Sequence, residues 1–247
     1  MKKSIVFSTI IGMLFFMTSC LGEVSNNYAD TTFVYIDSDM IGTTYGKTIS
    51  AYPRLITSDE MMMMNPGTIK LLSYSWDESY GTRPLSLDGQ TIQADAVRLS
   101  GDKVDVDQTY VILSELPEEE ESESFLQLDD PVFSQSPEFM GDNWIFAYSY
   151  NLPKGQTAHV EFYKREDAEG TNNIIIDIKL TFLGNAEGST KERKTEFLAL
   201  DMSSLRYQYE GGSSTQTKDL NIKFSYNRED RTEPVLTQTF ILQVKGE

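Results

Sequence analysis

Any catalysis in this 247-residue chain would fall to carboxylates, because the other reactive side chains are almost absent. There is one histidine, His159, and one cysteine, Cys20, against 38 Asp and Glu. Nucleophilic catalysis needs a base within reach of the nucleophile. His159 lies in the alternating stretch Ala158-His159-Val160-Glu161-Phe162-Tyr163, which puts it with Glu161 and Tyr163 on the solvent side of a strand. No Gly-x-Ser-x-Gly elbow, phosphate loop or dinucleotide fingerprint is present. A Cys/His zinc site takes typically three or four ligands, more than the chain can offer, and a lone cysteine closes no disulfide within a monomer. Paired carboxylates set about 5–10 Å apart would suit glycoside hydrolysis. The acid clusters are Asp37-Ser38-Asp39, Asp102 with Asp105 and Asp107, and Asp129-Asp130. Each has the oxygen chemistry of a calcium ligand, but none carries the spacing of an EF-hand loop. They read as solvated turns, and the sequence predicts no catalytic residue, metal site or cofactor.

Three further features bear on binding. Met61-Met62-Met63-Met64 precedes the turn Asn65-Pro66-Gly67. Methionine fills irregular gaps and also lines adaptable surfaces, so the run is either a buried strand entry or a partner-facing loop. Trp76 and Trp144 each sit in an alternating apolar set, which favours core packing over a sugar platform. A glycan-binding surface would need Trp144, Tyr148 and Tyr150 exposed as a row. A net charge of −17 and a pI near 4.4 argue against nucleic acid, whose readers begin from clustered Lys and Arg.

The elements that must position these residues begin with a targeting segment. Lys2 and Lys3 precede the apolar run Ile5 to Met17, and Met17-Thr18-Ser19-Cys20 follows. The run is shorter than the roughly 20 residues of a membrane span and suits a signal peptide. Small residues directly before a cysteine resemble a lipobox. That resemblance implies cleavage before Cys20 and lipid on its sulfur, and two or more acyl chains make a stable anchor. Cleavage removes Lys2 and Lys3, leaving 19 basic against 38 acidic side chains, a charge of −19. The sequence therefore predicts a membrane partner through the lipid, in a cell envelope.

The chain then divides into a tether over 20–30, an OB-like β domain over 31–116, an acidic linker over 117–124 and a β-sandwich over 125–247. In the first domain, β-branched and aromatic runs predict strands over Thr32–Asp37, Thr48–Thr57, Gly67–Trp76, Thr91–Leu99 and Gln108–Leu113, with Pro53 bending the second. Their number without a helix suggests a small barrel. Five carboxylates between Glu118 and Glu123 repel one another and stay solvated. Beyond them, strands are predicted over Trp144–Tyr150, Ala158–Tyr163, Ile174–Phe182, Glu196–Met202, Leu220–Tyr226 and Leu236–Val244, with a helical turn at Met202–Leu205. Ile174, Ile176, Ile178 and Leu180 alternate with Ile175, Asp177, Lys179 and Thr181, as in a strand with one buried and one wet face. The prediction is all-β, with an antiparallel, immunoglobulin-like sandwich in the second half.

Gly67-Thr68-Ile69-Lys70-Leu71-Leu72-Ser73-Tyr74-Ser75-Trp76 and Leu220-Asn221-Ile222-Lys223-Phe224-Ser225-Tyr226 resemble strands of the NigD-like lipoproteins of Bacteroidota. With the lipobox and the order of the two halves, the resemblance spans nearly the whole mature chain. It implies an OB-like domain followed by a β-sandwich, and it carries over one functional position, Cys20. It also implies a non-catalytic envelope protein, named after a bacteriocin-associated operon, whose partner would be a protein or peptide. The net charge favours a cationic partner. A glycan-binding, adhesin-like lipoprotein is the alternative, and a carboxylate glycosidase a more distant one.

Overall fold

The computed structural model describes residues 27–50, 52–117, 122–134, 140–165, 172–211 and 216–245. The expected signal peptide over 1–19, the expected lipid site Cys20 and residues 118–121 of the acidic run lie outside the described residues. The described residues form fifteen strands, one α-helix and two short 3₁₀ turns at Met61–Met63 and Glu78–Tyr80, so they are nearly all β.

The first half contributes β1 (Tyr28–Ser38), β2 (Thr44–Ile49), β3 (Leu55–Thr57), β4 (Ile69–Trp76), β5 (Thr82–Leu87), β6 (Gln90–Ala96) and β7 (Arg98–Ile112). They lie in the order β5-β6-β3-β2-β1-β4-β7. The sheet curls enough that Tyr45 of β2 shares a buried cluster with Leu85 of β5 and Ala94 of β6. Among the described residues no pairing joins β5 to β7, so the expected barrel is not closed. One reason is that β7 is committed elsewhere. After pairing antiparallel with β4 as far as Val106, it runs on to pair with strands of the second half. The strand expected over Gln108–Leu113 is the end of this fifteen-residue β7.

The second half contributes β8 (Gln127–Leu128), β9 (Asn143–Pro153), β10 (Thr157–Lys164), β11 (Asn173–Leu183), β12 (Lys191–Asp201), α1 (Ser203–Tyr209), β13 (Thr217–Tyr226), β14 (Val235–Leu236) and β15 (Phe240–Lys245). Two layers face each other across one large core. Trp144, Phe146, Tyr148 and Tyr150 of β9, with Leu198 and Leu200 of β12, meet Phe162, Ile176, Ile178, Leu180, Ile222 and Phe224 of the other layer. Aromatic stacking fixes the centre, with Phe133 stacked on Trp144 at 4.0 Å between ring centroids. The sheet is mixed, which corrects the expected antiparallel sandwich. β7 enters parallel to both β12 and β10, and β11 lies parallel to β13 because β12 and α1 cross between them. Burial also corrects one position on the expected wet face. Lys179 is buried, its Nζ 3.9 Å from the Glu161 carboxylate.

The halves share a core where β1 backs onto β9 and β12. Val34 and Ile36 point one way, into a cluster with Ile56, Met61, Leu72 and Tyr74. Phe33 and Tyr35 point the other way, against Ile145, Ala199 and Phe197, with the Phe33 and Phe197 rings edge to face at 5.2 Å. The period-two alternation of a strand thus makes β1 the middle layer between the two halves.

Candidate functional site

A recess opens at the start of β1, in a stretch expected to belong to the tether. β1 begins at Tyr28, and Asn27 before it is fastened on both sides of its side-chain amide. Its Nδ2 donates to Asp77 Oδ2 at 2.6 Å, and its Oδ1 accepts from the N–H of Glu78 at 3.1 Å. Antiparallel pairing with β4 sets Tyr28 opposite Trp76 and Asp30 opposite Tyr74. The rings of Tyr28 and Trp76 stack at 5.6 Å, and Tyr28 meets Tyr74 edge to face at 6.1 Å. The Arg54 guanidinium lies over the Tyr28 ring at 4.0 Å from its centroid, so the phenol is sandwiched between Arg54 and Trp76. Its hydroxyl donates to Asp95 Oδ2 at 2.6 Å, and Arg54 Nη1 lies 3.2 Å from the same oxygen.

Tyr28, Arg54 and Tyr74 line a recess of about 380 Å³ together with Ala29, Asp30, Ser50 and Tyr52, the last of which is 81% exposed. Burial and then the Asp95 carboxylate hold the Tyr28 hydroxyl well above the usual phenol range. Burial and the Asp30 carboxylate push Tyr74 up to about 12. Both are therefore neutral phenols at physiological pH. Arg54 and Asp95 satisfy each other, leaving Asp30 as the one carboxylate in the lining. The recess offers aromatic faces, hydroxyls, one negative charge and a strand edge. Those are the means of holding a ligand. The facing pair of carboxylates that glycoside hydrolysis uses is not brought together here.

The residues singled out from sequence fall elsewhere. His159 is exposed on β10, 3.7 Å from Glu161, but Tyr163 on the same expected face is buried where β7 pairs alongside the end of β10. Asp37 pairs with Lys47 at 2.8 Å and accepts from Tyr45. Its burial opposes ionisation, but these bonds and the Ser38 N–H hold its carboxyl below the usual range. Asp39 is buried and accepts from the N–H groups of Ser86, Thr43 and Ile41, a cap that ties the β1–β2 turn to β5. Asp105 pairs with Lys70, Asp129 accepts from Gln127 and Asp130 from Gln238. Among the described residues no group of three or more His, Cys, Asp or Glu is placed to hold a metal ion.

Trp144, Tyr148 and Tyr150 are all buried, in line with the core packing expected of Trp144 and against the exposed row that the glycan-binding alternative requires. Trp76 stacks on Tyr28 without lining the recess, and its indole N–H is already spent on the Gly81 carbonyl at 2.9 Å. The methionine run divides: Met61 is fully buried under β2, while Met62 and Met63 are 53% and 86% exposed. The last residues of the acidic stretch are docked rather than free. Glu123 bridges to Leu180, and Phe125 is fully buried.

No family model matches the sequence, and no curated protein matches it. The fold, however, is shared with solved structures. A protein of unknown function from Bacteroides vulgatus aligns with a TM-score of 0.59 at 13% identity, over 87% of this chain and 90% of that one. A protein described as a lipoprotein, from Bacteroides fragilis, aligns at 0.53 and 12% identity over 90% and 99%. A NigD-like immunity protein from Bacteroides caccae aligns at 0.50 and 9% identity over 85% and 91%. At these identities the likeness is one of fold, and it agrees with the resemblance to NigD-like lipoproteins carried by the Gly67–Trp76 and Leu220–Tyr226 segments.

Proposed function

We propose that this chain is a non-catalytic lipoprotein of the cell envelope that binds a protein or peptide partner, in the manner of an immunity protein against a bacteriocin-like toxin. The observation that carries the reading is the fold held in common with the NigD-like immunity protein over 85% of this chain. The lipobox ending in Cys20 and the shared fold with a lipoprotein support the anchor and an outer-membrane address. The negative charge of −17 supports a cationic partner. The two halves are read as an OB-like module, opened by the departure of β7, and an immunoglobulin-like sandwich. Partner binding belongs to the first half, at the recess beside Tyr28, Tyr52 and Arg54.

The test is genetic and biochemical together. Deleting the gene sensitises the cell to a cationic bacteriocin made by a neighbouring strain, and the mature chain binds that peptide in solution. Unchanged sensitivity combined with no binding would overturn the reading.

A further inference from the structure

We propose that the free edge of β1 at Tyr28–Thr32 takes an extended, basic peptide segment as an added β-strand. The proposal rests on the peptide-binding reading above and names the chemistry of the ligand.

β1 is paired with β4 along Tyr28–Tyr35, but with β2 only from Phe33 onward. In an antiparallel sheet, successive residues turn their backbone groups to opposite neighbours. The Ile36 N–H donates to Thr68 just before β4, and the Asp39 N–H donates to Thr43 on the β2 side. Even-numbered residues therefore serve β4 and odd-numbered ones serve β2. Continued to the start of the strand, this aims the backbone groups of Ala29 and Thr31 at space where β2 no longer runs.

β2 cannot be extended to fill that space. The register would place Pro53 opposite Ala29, and proline has no N–H to give. The chain has in any case turned away there. The Thr48 N–H donates to the Arg54 carbonyl, the Arg54 N–H returns to Thr48 Oγ1 at 2.8 Å, and Ser50 Oγ donates to the Tyr52 carbonyl at 2.9 Å. Thr31 has a substitute partner, since its N–H donates to Asp30 Oδ1 at 2.8 Å. The N–H of Ala29 and the carbonyls of Ala29 and Thr31 have no protein partner among the described residues. Ala29, Asp30 and Thr31 are exposed.

Such an edge is a template for strand addition unless something guards it. The guard here is one carboxylate, Asp30, and it also selects the ligand. Like charges repel across a two-fold pairing of this edge with itself, while a basic side chain of an incoming strand is attracted. Arg54 does not oppose that strand, because its charge is taken up by Asp95 at 3.2 Å and its face by the Tyr28 ring. Tyr52, at the far wall, offers an exposed ring to alternate side chains of the ligand. Asn27 is bonded to Asp77 and Glu78, beyond the end of β4 and opposite the β2 side.

The test uses the 15N-labelled mature chain and a peptide of alternating valine and lysine about seven residues long, enough to span the edge. The expected result is saturable binding, with amide shifts and slowed hydrogen exchange centred on Ala29. Ala29→Pro removes the outward N–H without touching a β4 bond, and it weakens binding about tenfold. Its thermal midpoint stays close to that of the parent. Asp30→Lys weakens the lysine peptide and strengthens its glutamate counterpart, a reversal that misfolding would not produce. Binding that Ala29→Pro leaves unchanged, or shifts that map elsewhere, would overturn the proposal. So would concentration-dependent dimerisation abolished by Ala29→Pro, which assigns the edge to a second copy. Toxin peptide bound elsewhere would leave the immunity reading standing and remove the edge. Model peptide bound at the edge, with unchanged toxin sensitivity on deletion, would do the reverse.

Discussion

Gly46 sits in the middle of β2 with no side chain, and the space a Cβ would need is occupied. A methyl group added there would overlap Val34 Cγ1, lie 2.6 Å from Met61 Cε and 3.2 Å from Ile56 Cγ1. All three neighbours are fully buried. Gly46→Ala therefore overpacks the cluster, a change that costs about 1–3 kcal/mol. Part is offset by the reduced freedom of the unfolded chain, about 0.4–1 kcal/mol. The net loss of about 1–2 kcal/mol lowers the thermal midpoint by roughly 2–8 °C for a chain of this size. Met61→Ala alone opens a cavity and costs about 2–5 kcal/mol. In the double variant the new methyl enters the space vacated by the thioether. Its loss should then fall short of the sum of the single losses by about 1–3 kcal/mol. Urea unfolding followed by tryptophan fluorescence reads all three variants, with Trp144 in one core and Trp76 beside the other. Losses that add to within about 0.5 kcal/mol would refute a shared packing site, and with it the assignment of Met61 as the plug under β2. Met63→Ser serves as the control from the same run, and at 86% exposure it should change stability by less than about 0.5 kcal/mol.

Three other predictions rest on separate parts of the molecule. Arg206 of α1 holds the nearly buried Asp142 carboxylate at 2.8 Å and also donates to the Gln243 carbonyl of β15. Arg206→Met strands that carboxylate and costs about 3–5 kcal/mol in urea unfolding, and adding Asp142→Asn restores part of it. Asp39 is held below the usual carboxylate range first by the Ser86 N–H and then by those of Thr43 and Ile41. Its ionised form stabilises the fold above the ordinary carboxylate pKa, and this contribution is lost as pH falls through the lowered value. The destabilisation caused by Asp39→Asn should thus be full at neutral pH and shrink below about pH 4, and a gap constant with pH would contradict it. Burial raises Tyr28, Tyr45, Tyr148 and Tyr150, and pushes Tyr74 up to about 12. These five of the thirteen tyrosines should show no phenolate absorbance near pH 10 until urea unfolds the chain. Stability should accordingly fall as pH rises past about 10.

The second half was the more legible from sequence, for a physical reason. Trp144, Phe146, Tyr148 and Tyr150 alternate without a break, as do Ile174, Ile176, Ile178 and Leu180, and all eight face one core. A strand between two layers of unequal character announces itself by its period. Pairing direction leaves no such mark. The parallel entry of β7 depends on residues more than fifty positions away, which no local pattern encodes. The first half was harder because its strands are short and its sheet curls. β5 contains Pro84 and lies at the edge of the sheet, where the missing N–H is tolerated. Thr48–Thr57 reads as one strand because Pro53 signals a bend but not the full reversal that separates β2 from β3.

The candidate site was the least legible part. Tyr28, Ala29 and Asp30 look like the tail of a polar tether, and only pairing with β4 makes them a strand edge. The Tyr52-Pro53-Arg54 turn was the available clue, since aromatic and arginine residues flanking a proline suit a shaped surface. Its partner Asp95 is 41 residues away. The expectation at Cys20 depends on no fold, because a lipobox is recognised in the extended chain before folding, and Cys20 lies outside the described residues.

Whether this protein works as an anchored binding module is tested most directly at that residue. Mass spectrometry of the protein extracted from native membranes should find a chain beginning at Cys20, with diacylglycerol on the sulfur and an acyl group on the amine. Cys20→Ala should release the chain from the membrane fraction. An unmodified Cys20 in a chain that keeps Lys2 and Lys3, or a mature N-terminus at another residue without lipid, would contradict the anchored module.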